Sequence, residues 1–235
     1  MLNRLLAAAA VVAVASASFA GPASAQDADP LKEATAQIIA RFDAALRACG
    51  VTPPYVPGVV VDSTPSLVSF YIDDRSVHQS RWSEMPAEIQ GMLGGWAAAG
   101  TLGLSPEGQF AEIFNSLLVP HELGHFVASF DGRWERDDNW TNEVLANRIA
   151  IAFWAQDTAG GAPIADRVEN FNVFLSQLPN PVPEGEDPHA YFESHYEALS
   201  NDAAAYGWYQ GAFMRTAWAG REEATFCDLV KPDAT

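Results

Sequence analysis

The stretch from Ser105 to Phe130, "SPEGQFAEIFNSLLVPHELGHFVASF", constrains the fold more than any other part of the chain. Ser105 followed by Pro106 is a helix start, a hydroxyl cap with proline in the first turn. Further along, Val119, Leu123, Phe126, Val127 and Phe130 recur at helical spacing and fall on one side. His121 and His125 fall roughly opposite, four residues and about 40° apart around the axis. An ordinary solvated face would carry Lys, Arg and Glu, whereas Leu118 and Ser129 accompany the histidines here. Such a helix needs a core on one side and a cleft on the other. Pro120 removes one helical hydrogen bond, so the chain either kinks there or starts a helix just before the histidines.

Two imidazoles on one helix face suit a single cation, and Glu122, about 100° from His121, reaches a water on that cation without ligating it. This is the H-E-x-x-H arrangement, in which the glutamate acts as general base and then proton donor. Five letters match by chance often in any proteome, so a third ligand has to support them. Catalytic zinc usually has three protein ligands and one open position. No histidine follows at the short H-E-x-x-H-x-x-G-x-x-H spacing, but Glu143 follows His125 after 17 intervening residues. It opens the next helical segment, "TNEVLANRIAIAFWAQ", capped by Asn139 or Thr141. A turn and a polar loop, "RWERDDNW", allow that segment to return antiparallel. Asn147, one turn on, shares the face of Glu143 and suits a hydrogen bond to a ligand. Glu135, in the intervening loop, is the rival third ligand.

Elsewhere the pattern is strands early and helices late, an α+β arrangement. Positions 31–48 read as a helix stopped by Gly50, and 59–62 and 67–73 as strands around a Ser-Thr-Pro turn. Helices follow in "SEMPAEIQGMLGGWAAAG" and at about 165–178, 189–199 and 202–218, with a proline-rich loop, "LPNPVPEGEDP", between the first two of those three. The first 25 residues read as a signal peptide: Arg4, an apolar run from Leu5 to about Ala20, and Ala23-Ser24-Ala25 as the cleavage site. Cleavage leaves a single domain from Gln26 to Thr235 with 12 basic and 30 acidic side chains, a net charge of −18. That surface repels nucleic acid and anionic membrane. Export also favours a disulfide between Cys49 and Cys227, the only cysteines, over a metal knuckle.

"HELGHF" followed by "WTNEVLANRIAIAFW" resembles the gluzincin pattern of H-E-x-x-H on one helix and E-x-x-A-N or E-x-x-x-D on the next. It resembles in particular small exported bacterial metallopeptidases, and "YFESHYEALSNDAAAYGWYQGAFM" is similar to their tail. The likeness covers about residues 105–215, with asparagine at 147 where better-known members often carry aspartate. It implies a zincin-like fold, with a small twisted sheet, the motif helix behind it and a helical C-terminal part. It further implies Zn²⁺ held by His121, His125 and Glu143, with Glu122 as general base on a peptide or protein substrate. Gluzincins draw a further transition-state donor, His or Tyr, from a later helix. Tyr196, Tyr206, Tyr209 and His195 qualify, Tyr196 and Tyr206 being preferred. His78 and His189 read as surface residues. Trp96, Trp134, Trp140, Trp154, Trp208 and Trp218 have no repeated spacing and read as core and cleft packing. The competing function is a periplasmic protein that keeps the fold and binds metal or a partner without catalysis. Oligomeric state and cleavage preference leave no trace in the sequence.

Overall fold

Asp29 accepts hydrogen bonds from the backbone N–H of Leu31 and Lys32 and so caps α1, Pro30–Ala48, which ends before Gly50 at φ +81°. In the computed structural model the described residues are 29–62, 67–157 and 161–231. The expected signal peptide lies outside them, as does the Ser-Thr-Pro turn. Three strands follow α1: β1 (Gly58–Val61), β2 (Val68–Tyr71) and β3 (Ser76–Gln79). β3 is central, parallel to β1 and antiparallel to β2, with Phe70 opposite Val77 and Val60 opposite His78. The sequence reading missed β3 because "SVHQ" carries a single β-branched residue. Its burial is set only in the sheet, where Ser76, Val77 and Gln79 are buried and His78 is partly buried.

His78, read as a surface residue, is corrected by the same strand. Its side chain is only 12% exposed and lies between Asp62 (Nδ1–Oδ2 2.9 Å) and Asp74 (Nε2–Oδ2 2.6 Å). Burial opposes its protonation, but the two carboxylates raise its pKa overall. His189 keeps a surface position, stacked on Trp140 beside Asp138.

The helices are α2 (Ala87–Ala97), α3 (Pro106–Glu112), α4 (Val119–Asp131), α5 (Arg133–Arg136) and α6 (Asn139–Gln156). After them come α7 (Ile164–Leu175), α8 (Pro188–Ser200), α9 (Ala203–Ala219) and α10 (Phe226–Val230). Two local readings change. The polar loop "RWERDDNW" contains the short α5, and α6 is capped by Asp138, one residue earlier than expected, which accepts from Thr141 N at 2.7 Å. The architecture is α+β, a small mixed sheet beside a mainly helical body.

The larger core joins α1, α4, α6 and α10. Phe42 meets Phe153 and Phe226 at ring-centroid distances of 5.3 and 5.4 Å, with Leu123, Val127 and Ile149 fully enclosed. Each such side chain contributes about 1.5–3 kcal/mol by leaving water. Cys49 and Cys227 are disulfide-bonded, with Cα atoms 5.1 Å apart, tying the end of α1 to α10. Closing a loop of that length stabilises the fold by up to about 5 kcal/mol through chain entropy. A second core lies under α8 and α9, where Phe192, Tyr209 and Phe213 pack on Trp140. Trp154 is buried, with its Nε1–H donating to Leu117 O, and Trp96 packs on Phe174. Among the described residues no helix is long and apolar enough to cross a membrane.

Candidate metal centre

The histidine helix does not begin in isolation. α3 runs through a π turn, Ile113–Leu117, into α4, and Leu118 N donates to Ile113 O at 2.9 Å across five residues. Pro120 stands in the first turn of α4, where a missing N–H costs least, so the chain takes the second of the two expected options. As the periodicity predicts, Val119, Leu123, Phe126 and Val127 are buried in the core. Gly124 then sets how closely the next helix approaches. A Cβ at that position would lie 2.7 Å from Ala146 Cα, so only glycine lets α6 lie against α4 at this distance. With the two helices this close, the first turns of α6 bring Glu143 to the histidines.

His121 Nε2 and His125 Nε2 are 3.1 Å apart. Glu143 Oε2 lies 3.4 Å from His121 Nε2, and Oε1 lies 3.7 Å from His125 Nε2. These three side chains converge, one ligand atom each, within 4.8 Å of one another. Glu135, the rival, is exposed on α5 and is not part of the group. The carboxylate of Glu143 is fixed from α9: Tyr206 donates its hydroxyl to Oε1 at 2.8 Å, and Gln210 donates Nε2 to Oε2 at 3.0 Å. Asn147 is fully buried and donates Nδ2 to Glu143 O at 2.9 Å, leaving its Oδ1 without a partner. The Nδ1 atoms of both histidines are likewise buried and unpartnered. Asn147 lies close enough to favour the charged form of His121 but not in hydrogen-bonding geometry.

The electrostatics divide the three groups. Burial would neutralise Glu143, but His125, His121 and Gln210 outweigh it and hold its pKa down at about 2. Burial also opposes charge on His121, yet the Glu143 carboxylate raises the pKa of that ring. His125 goes the other way, down to about 4, through burial together with repulsion from His121. One carboxylate thus faces one ring that favours its charged form and one that favours its neutral form. Glu122 is pushed up to about 7 by burial, against the pull of His121 and of the Phe70 N–H. Its Oε2 accepts that N–H from β2, an edge strand, at 2.8 Å.

The aromatic candidates separate clearly. Tyr206 reaches the centre, but its hydroxyl is engaged by Glu143. Tyr196, on α8, is 37% exposed, packs edge-on against Phe192, and lies near enough to Glu143 to feel its charge. Tyr209 is buried in the second core with its hydroxyl on Pro188 O at 3.3 Å. His195 stacks on Tyr191 and its Nδ1 bonds to Tyr191 O at 3.0 Å, which takes it into α8 itself. Trp134, 47% exposed on α5, stands edge-on to His125 with ring centroids 5.3 Å apart. Sequence reasoning missed Gln210 and the Phe70 N–H. The four-residue spacing of Tyr206 and Gln210 on one helix was the available signal for the first, whereas a backbone donor leaves none. Asp138, His189 and Glu193 form a second converging group, but Glu193 already accepts from Trp140 N and Asn139 Nδ2 at the start of α6.

No protein family, no curated protein and no solved structure matches this chain in comparison.

Proposed function

We propose that the chain is an exported zinc-dependent metallopeptidase of the gluzincin kind, on a zincin-like fold. The observation that carries this reading is the convergence of three side chains, one ligand atom each within 4.8 Å of the others: the two Nε2 atoms are 3.1 Å apart, and each lies 3.4 or 3.7 Å from one of the two Glu143 oxygens. Zinc bonded to N and O ligands at about 2.0–2.1 Å in a tetrahedron requires donor separations of roughly 3.3 Å, and catalytic sites use three such donors. Two imidazoles and one carboxylate are a donor set suited to zinc. The unpartnered buried atoms there, Nδ1 of both histidines and Asn147 Oδ1, and the shifted pKa values of His121, Glu122, His125 and Glu143 fit a site built to hold a charge.

His121, His125 and Glu143 would hold the metal, and Tyr206 with Gln210 keeps the Glu143 carboxylate turned toward the histidines. Bound zinc supplies Lewis acidity that polarises a substrate carbonyl and acidifies water. Glu122 would take the proton of an attacking water and return it to the leaving amine. Burial pushes its pKa up to about 7 without the metal, so the carboxylate has a raised affinity for a proton. The Phe70 N–H fixes one of its oxygens and leaves the other for the proton. Because the Tyr206 hydroxyl is engaged, Tyr196 at the rim is the better donor for negative charge developing on the substrate oxygen. Export rests on the leader-like first 25 residues and on the disulfide.

Glu122→Gln tests the reading against the non-catalytic alternative. The variant keeps the metal, measured by elemental analysis, and loses peptide hydrolysis by about 100-fold or more. Equal inertness of wild type and Glu122→Gln on a broad peptide library would leave only metal or partner binding. Failure of wild type to retain zinc, with His121→Ala unchanged in stability, would remove the metal as well.

A further inference from the structure

The π turn that feeds α4 is gripped from three sides. Asn115 donates to Ser80 O at 3.2 Å and to Gln79 Oε1, joining the turn to the end of β3. Trp154 on α6 donates its indole N–H to Leu117 O at 3.1 Å. Arg167 on α7 reaches over the turn, bonding Glu112 Oε1 just before it and donating to Ser116 Oγ within it at 2.8 Å. The guanidinium is also stacked over the Trp154 ring, 4.3 Å from its centroid. Arg167 is 2% exposed and heads the fully buried side chains by size.

A buried ion pair is poor evidence for stability, because an apolar side chain of similar volume often replaces one at no cost. What this pair touches is more informative. A π turn closes over one residue more than an α turn, and such turns concentrate at functional sites. One residue corresponds to about 100° of rotation. If the turn relaxed to α geometry, everything downstream would rotate relative to α3, and His121 and His125 would leave the face that meets Glu143. Arg167 holds the two ends of the irregular segment together and packs on the indole that holds its last carbonyl.

We propose that Arg167, through its clamp on Glu112, Ser116 and Trp154, is a positioning residue that sets the rotation of the His121–His125 pair toward Glu143. The proposal rests on the metal reading for its functional meaning but makes a structural claim of its own. The planar fork of arginine is needed to bond Ser116 and Glu112 while stacking on Trp154, so lysine replaces it only in part.

The test compares full-length wild type with Arg167→Met and Arg167→Lys. Zinc affinity is read by competition with a chromophoric chelator, ligand geometry by visible absorption after Co²⁺ loading, and folding by far-UV circular dichroism. Arg167→Met should stay folded, bind zinc about 10–100-fold more weakly and change the Co²⁺ spectrum, as loss of an outer support typically does. Arg167→Lys should fall between it and wild type. Folded Arg167→Met with affinity within twofold of wild type and an unaltered Co²⁺ spectrum would overturn the proposal. If Arg167→Met does not fold, Trp154→Phe keeps a smaller aromatic face under the guanidinium and removes the N–H that bonds Leu117 O. It should weaken zinc binding in the same direction, and no change there overturns the clamp. If wild type takes up no metal, the proposed function fails while the clamp is still judged by NMR. In Arg167→Met the ring resonances of His121 and His125 should then move while those of His189 stay, and fixed resonances would count against it.

Discussion

On the floor of the centre, Gly124 lies against Ala146 and the buried carboxylate of Glu143 takes one hydrogen bond from Tyr206 and another from Gln210. At the rim, Trp134 stands on a four-residue helix and Tyr196 follows directly after His195, whose backbone leaves helical values at φ −125°, ψ 16°. Both rim aromatics are more than one-third exposed; the Trp134 ring meets His125, while Tyr196 packs on Phe192 of the second core, near enough to Glu143 to feel its charge. The floor is over-determined by packing and paired polar groups, where a small displacement has nowhere to go. Few buried contacts restrain the rim, which is the usual condition of surfaces that adapt to a ligand. The difference teaches where geometry is fixed before a ligand arrives and where it is left open.

The strongest way to break the contrast is Gly124→Ala. The added methyl meets backbone rather than a movable side chain, so α4 and α6 must part. We expect a loss of about 1–3 kcal/mol in stability, read by thermal unfolding, and a large fall in zinc affinity. Stability and affinity both near wild type would mean that the floor yields as readily as the rim.

Tyr206→Phe acts more locally. It removes one of the two hydrogen bonds on Glu143 and should weaken zinc binding about tenfold, roughly 1.4 kcal/mol. Turnover should recover at saturating zinc, since the phenol only positions the ligand. A persistent fall in kcat with zinc saturating would instead make Tyr206 a donor to the reacting substrate and move it from floor to active rim. Trp134→Ala sharpens the comparison from the other side. Unfolding free energy should change by no more than about 0.5 kcal/mol, and zinc affinity by less than twofold, while KM for peptide rises. Loss of zinc in this variant would show that Trp134 belongs to the support of His125.

Much of the floor was legible in the chain because helix periodicity is a local property. The spacing of His121 and His125 fixes their common side, and the stripe from Val119 to Phe130 determines which side faces the core. Glu143 could be named because a helix start after a short connection returns to its predecessor. The supports of that carboxylate were legible only in part: Tyr206 was named as a donor to substrate rather than as an anchor of Glu143, Gln210 was not named, and the two lie on α9, 63 and 67 residues away. That helix is apolar on most of its circumference, so periodicity gives little direction. β3 was hidden for a related reason, since four residues with one β-branched side chain become a strand only between two partners. Asp138 replaced Asn139 and Thr141 as the cap of α6 because all three residue types can cap, and only the backbone decides.

By itself the sequence determined the order of the longer helices (α5 and α10 were not foreseen), the histidine pair on one face, the glutamate between them and the cysteine pair. These follow from residue type and spacing along one chain. Tertiary structure decided the rest: the phase of α4 through the π turn, the close approach at Gly124, and the hydrogen bonds that aim Glu143. It also withdrew the Tyr206 hydroxyl into an anchoring bond and tied the Glu122 carboxylate to the Phe70 N–H of the edge strand. Most of these depend on contacts of about 3 Å between segments far apart in sequence. Packing sets such distances, and spacing along the chain does not.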